Sequence, residues 1–187
     1  MGDRVIMIAF LKNSDTLLSK GIRAVTGSRY SHAELVFDNG IHYTALTRLT
    51  GTTGVVKIQY DKYTDDWDFV TVKVTEEEYN QALKIADGLV GKPYNYTGIL
   101  FTQLFGFGIS GNDEFFCSEF VAYVLHKSKI LKLKNKMLSV YNPGLLYREL
   151  MVKIKHTSEK KMTFRFNKKE YAPESYDPTE LYDPNSW

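Results

Sequence analysis

Asp38-Asn39-Gly40 stands between two stretches, residues 31–37 and 41–46, in which apolar and polar residues alternate in the manner of strands. An Asn-Gly step readily takes the positive φ angles of a tight hairpin turn, so the two stretches are expected to run antiparallel as neighbours. Residues 5–11 read as a buried strand. Thr52-Thr53-Gly54 breaks the chain before a strand over 55–60, and 67–74 gives another. One early helix interrupts this β-rich half. Over residues 15–25, Leu17, Leu18, Ile22 and Val25 fall at helical spacing, and Gly27 supplies a stop.

The second half changes period. Thr75 followed by Glu78 forms a capping-box signature, with Tyr79, Leu83, Ala86, Leu89 and Val90 as the buried stripe and Gly91 as the end. Residues 98–107 read as a short apolar helix, and Gly106, Gly108 and Gly111 as a flexible approach to the next one. Pro143 opens a last short helix through Leu150, and residues 162–166 add an edge strand. The class is α+β: an antiparallel sheet with helices to one side. Three regions follow: a domain over 1–150, a basic extension over 151–170 carrying the edge strand, and an acidic, flexible tail over 171–187.

Net charge is only +2, but its distribution is uneven. From Lys127 to Lys169 there are thirteen basic residues against Glu149 and Glu159, whereas the last eighteen residues hold acids and no Lys or Arg. The basic belt is a candidate for an anionic surface. Nucleic acid is disfavoured because no nucleic-acid motif accompanies the charge. No apolar run is long enough to cross a bilayer and no secretory leader is recognisable, so synthesis in the cytoplasm is expected. A single cysteine excludes an intrachain disulfide and a multi-cysteine zinc site, and no metal or cofactor is expected.

That cysteine, Cys117, lies in Phe115-Phe116-Cys117-Ser118-Glu119-Phe120-Val121, with apolar residues at 116, 120, 121, 124 and 125. The spacing puts it in the first turn of a buried helix, where the positive end of the backbone dipole favours a thiolate. A buried cysteine is also a small core residue, so a partner base decides between the two readings. Of four histidines, His126 is nine residues along the same helix, roughly 13 Å away at about 1.5 Å per residue. His156 falls in a lysine-rich stretch. His32 and His42 lie on the two strands of the hairpin, where an imidazole can face the start of the cysteine helix. Ser118 and Glu119 are expected on the less buried side of that helix, with Glu119 available for capping.

Three segments in order carry a resemblance: residues 26–36 around Ser31-His32-Ala33-Glu34, then Gly91-Lys92-Pro93-Tyr94-Asn95-Tyr96, then Phe116-Cys117-Ser118-Glu119-Phe120-Val121. Together they resemble the circularly permuted NlpC/P60 group of papain-like proteins, which includes bacterial YiiX-like proteins and a poxvirus member, and in which histidine precedes cysteine. The resemblance runs from about residue 2 to 150. It implies a permuted papain-like fold with Cys117 as nucleophile at a helix N-terminus and His32 as general base. The family's third polar position falls on Thr44, a departure, since threonine accepts from an imidazole but carries no charge. Glu34, on the same strand face as His32, or His42, on the face of Thr44, is the substitute. Oxyanion or substrate candidates are the Cys117 backbone N–H, Tyr30, His42, Tyr94, Tyr96 and Ser118.

The resemblance implies a cysteine hydrolase, peptidase-like or acyltransferase-like, that cleaves an amide or ester through a thioester. Its substrate would be a peptide, a peptidoglycan peptide or an acyl-lipid. The alternative is a catalytically impaired scaffold serving as a binding or virion-associated protein. A viral or phage source, with the protein in the host cytoplasm or the virion, would reconcile a cell-wall substrate with the missing leader.

Overall fold

A computed structural model of the 187-residue chain describes residues 4–12, 14–46, 53–59, 63–95, 114–156 and 162–165. The strands are β1 (Arg4–Leu11), β2 (His32–Phe37), β3 (Ile41–Leu46), β4 (Gly54–Gln59), β5 (Trp67–Val74) and β6 (Met162–Arg165). The helices are α1 (Leu17–Thr26), α2 (Glu76–Leu89), α3 (Cys117–Lys127) and α4 (Pro143–His156), with a 3-10 turn at Leu138–Val140. Every strand pairing is antiparallel, in the order β4-β3-β2-β1-β5-β6. Residues 4–74 supply five strands, and β6, from the basic extension, joins the same sheet at the β5 edge. The class is α+β, as the change of period implied.

Strand alternation divides the sheet into two faces. Ile6, Ile8, Phe10, Ala33, Leu35, Phe37, Tyr43, Ala45, Val70, Val72 and Val74 build the main core with residues from α2, α3 and α4. Met7, Ala9 and Val36 point the other way, under Val5, Tyr63, Trp67 and Phe69. His32 and Glu34 share the parity of Val36, and His42 and Thr44 alternate with the core residues Tyr43 and Ala45, so the polar candidates collect on the second face.

Helix α3 is the centrepiece. Phe116, Phe120, Val121, Ala122, Val124 and Leu125 are all fully buried, and the helix packs on β2, β3, α2 and α4. Burial of each large apolar side chain is worth about 1.5–3 kcal/mol, so α3 is held firmly where it delivers Cys117. Ser118 and Glu119 are buried as well, contrary to the expectation of a less buried side. The first turn of α3, residues 117–120, is buried throughout, and solvent reaches the helix only further on, at Tyr123, His126 and Lys127.

Several local expectations need correction. Helix α1 begins at Leu17 because the Thr16 hydroxyl accepts from Ser19 N–H, and Gly27 ends it with φ +59. Of its four periodic apolar residues only Ile22 is buried. The capping box of α2 forms on Thr75 and Glu78, and its buried residues are Tyr79, Ala82 and Ala86, with Leu83 and Leu89 partly covered. Val90 is exposed just past the helix end. Helix α4 continues to His156 rather than stopping at Leu150, since no Gly or Pro follows to end it. Its start is capped by the Asn142 side chain, which accepts from Leu145 N–H at 2.9 Å. The expected helix over 98–107, the glycine-rich approach and the acidic tail lie outside the described residues.

Candidate active site

The segment leading into α3 is anchored from two sides. Val55 N–H donates to Lys92 O and Gly91 N–H to Val55 O, both at 2.8 Å, fixing residues 91–92 to β4. Phe115 N–H donates to Pro93 O and Asn95 N–H to Phe115 O, both at 3.1 Å, around a parallel bridge between Tyr94 and Phe115. The Gly91–Asn95 motif is therefore an architectural clamp. Gly54 makes it possible: its φ is +120, and a Cβ there would sit 2.3 Å from Lys92 O.

Cys117 opens α3 directly after this clamp and is 2 % exposed. Burial pushes its thiol pKa up, but the His32 charge and hydrogen bond, with the backbone N–H groups of Ala33 and Ser118, outweigh that and lower it overall. For His32, burial acts downward. The adjacent Cys117 and Glu34 overcome it and carry the imidazole up to about 10. Both shifts favour the thiolate–imidazolium form. In it the positive ring and the helix N-terminus hold the negative sulfur.

The other imidazole nitrogen fixes the tautomer. His32 Nε2 lies 3.1 Å from Thr44 Oγ1 and 3.3 Å from Glu34 Oε1. Thr44 commits its own hydroxyl hydrogen to Ala33 O at 3.1 Å, so its oxygen can only accept from His32. Nε2 therefore carries a proton and Nδ1 is the nitrogen left for the thiol. Sequence reasoning set Thr44 and Glu34 against each other as third residue. The structure brings both to Nε2, one as neutral acceptor and one as charge.

Glu34 is 2 % exposed and remains ionised. Burial would raise its pKa, but hydrogen bonds and charge from His32 and His42 hold it down to about 2. Behind it, His42 Nδ1 lies 3.3 Å from Glu34 Oε2 and 2.6 Å from the Tyr63 hydroxyl, which also donates to Glu34 Oε2 at 3.3 Å. Tyr63 stacks on His42 with ring centroids 5.0 Å apart and packs edge-on against Trp67 and Phe69. Trp67 in turn meets His32 edge-on at 6.2 Å. His42 thus supports Glu34 one layer behind His32.

The remaining candidates divide. Ser118 offers its backbone N–H to the sulfur, while its hydroxyl is buried without a hydrogen-bond partner among the described residues. Tyr30 belongs to a different cluster. Its hydroxyl donates to the buried Asp68 Oδ2 at 2.6 Å and accepts from Arg29 at 2.6 Å, so it is not a free oxyanion donor. Tyr94 sits in the core beside the clamp, and Tyr96 lies outside the described residues. Glu119 closes back on the Phe116 N–H at the start of α3, and burial pushes its carboxyl up to about 7. His126 falls in the last turn of α3, at the far end from the thiol.

Sequence reasoning missed Tyr63, Trp67 and Asp68. Tyr63 lies in a polar loop without periodicity, and nothing in its local sequence marks it. Asp68 carried a signal, a carboxylate at a core-facing strand position. It pairs with both Lys12 and Arg29, one on each oxygen and each at 2.7 Å. Among the described residues no group of three His, Cys, Asp or Glu side chains is arranged to hold a metal ion. None of their helices is long and apolar enough to cross a membrane. Searches against protein-family models and against curated proteins find no match to this chain.

Proposed function

We propose that this chain is a papain-like cysteine hydrolase of the permuted NlpC/P60 kind, acting on an amide or ester. The observation that carries the reading is His32 Nε2 held at 3.1 Å from Thr44 Oγ1 and 3.3 Å from Glu34 Oε1, with the imidazole and the Cys117 thiol each shifting the other's ionisation toward the charged form. The chain order, histidine strand before cysteine helix, supports the permuted arrangement. The Cys117 thiolate attacks the substrate carbonyl carbon and forms a C–S bond. As the tetrahedral oxyanion collapses, the C–N or C–O bond breaks and His32 gives its proton to the leaving group. A water molecule then loses a proton to His32, attacks the thioester and frees the acid and the thiolate. The oxyanion would be met by the Cys117 N–H, which has no intrahelical acceptor at the first helical position.

A second reading, a fold kept for binding without turnover, is favoured by the 2 % exposure of Cys117. One experiment separates the two. The full chain is incubated with a panel of aryl esters, acyl-lipids and peptide amides, and intact-protein mass is read for an acyl group on Cys117. Acylation lost in Cys117→Ser and slowed about 10²–10⁴-fold in His32→Ala supports the hydrolase. Thr44→Val should slow it less than Glu34→Gln, because it removes no charge. Absence of any acyl adduct or released product across the panel would leave the binding reading.

A further inference from the structure

Helix α1 wears its amphipathicity inside out. Leu17, Gly21 and Val25 form one stripe at four-residue spacing, flanked by Leu18 and Ala24, and all five are exposed, Leu17 at 89 %. The side facing the protein holds Ile22 with the more polar Ser19, Arg23 and Thr26. Of the six large apolar side chains exposed among the described residues, three stand on this ten-residue helix. Isolated exposed apolar residues are ordinary, whereas a clustered stripe marks a docking face.

Charge indicates the partner. The helix has no acid. From Lys12 to Arg29 the chain carries Lys12, Lys20, Arg23 and Arg29 against Asp15, and Lys12 and Arg29 share the buried Asp68, so two positive charges remain in excess. Lys20 and Arg29 are more than half exposed, and the Lys20 contact with Asp15 is a solvent-exposed pair at 3.4 Å. An outward apolar stripe edged by cations is the pattern of a helix lying in a membrane interface. Its place in the fold matters too. Helix α1 joins the end of β1 to the start of β2, and Leu11 pairs with His32 there, so the stripe is carried at the His32 end of the sheet.

We propose that α1 docks this protein on an anionic bilayer surface, with Leu17, Leu18 and Val25 in the acyl boundary and Lys20 and Arg29 at the headgroups. The docking is independent of turnover at Cys117. The test is co-sedimentation of the full chain with vesicles of phosphatidylcholine alone or with 30 % phosphatidylserine, at low and high salt. Binding is expected to the anionic vesicles, weakened severalfold by high salt. It should fall more than tenfold in Leu17→Ser/Leu18→Ser/Val25→Ser, whose exposed positions leave the fold intact. Lys20→Glu should weaken it severalfold. Equal binding to neutral and anionic vesicles, or binding unchanged by the triple substitution, would overturn the proposal. So would a solution dimer that the triple substitution dissolves while no vesicle binding is seen, which would assign the stripe to a second copy. The triple variant should keep the Cys117 titration of the parent, so a failure here is distinguishable from a failure of the hydrolase reading.

Discussion

Glu34→Gln removes one negative charge from the centre of the polar cluster while keeping the side chain's size. The carboxylate is buried against His32, His42 and Tyr63, each with a contact of 3.3 Å, and its pKa is held down to about 2 from an ordinary 4.5. A depression of that size is worth about 3 kcal/mol of folding stability at neutral pH, as an order of magnitude. Because the folded pKa is the lower one, this stabilisation is fully present above pH 4.5 and is lost as pH falls toward 2. Linkage arithmetic places about 2 kcal/mol of the loss between pH 5 and pH 3. Urea unfolding of the parent and of Glu34→Gln at half-unit intervals across that range isolates the effect, since other carboxylates cancel in the difference. The parent should be the more stable at pH 5, with its advantage shrinking by about 2 kcal/mol at pH 3. A difference that stays constant with pH would refute the claim that Glu34 is an ionised partner of the two histidines.

Two structural predictions accompany it. Asp68→Asn leaves Lys12 and Arg29 without their shared counter-charge. Because both cations retain some solvent, a loss of about 1–3 kcal/mol in urea unfolding is expected rather than the full cost of a stranded buried ion. Gly54→Ala should cost at least about 2 kcal/mol, because positive φ and a 2.3 Å approach to Lys92 O act together. Gly40→Ala, with φ +77 but open space around it, should cost only about 1 kcal/mol. Equal costs at the two glycines would remove the case for a tight clamp between β4 and residues 91–95.

The sheet was legible in the sequence because its signals are local: an Asn-Gly turn, two-residue alternation and a capping box each act within a few residues. The burial of Phe116, Phe120, Val121, Val124 and Leu125 followed from spacing alone. Cys117 and His32 were legible as a pair only through their order and surroundings. The Glu34–His42–Tyr63 cluster was half visible, since strand parity puts Glu34 beside His32, whereas Tyr63 arrives from a loop whose path tertiary packing decides. Helix α1 marks the opposite limit. Periodicity groups Leu17, Leu18, Ile22 and Val25, but cannot say that Ile22 alone turns inward while the other three face out. Burial of Ser118 and Glu119 likewise depends on what surrounds the first turn of α3, where all four residues are buried.

The most direct measurement is the ionisation of Cys117 itself, followed by thiolate absorbance near 240 nm against pH. With only one cysteine in the chain, a Cys117→Ser blank isolates the signal, and the readout needs no reagent to reach a buried sulfur. If His32 and the α3 N-terminus hold the thiolate, the parent's midpoint lies below the ~8.5 of a free thiol. His32→Ala should then carry it above that value, since burial remains when the counter-charge is gone. A parent midpoint at or above 8.5, or one that His32→Ala leaves unmoved in a protein still folded by circular dichroism, would contradict the pairing of Cys117 with His32.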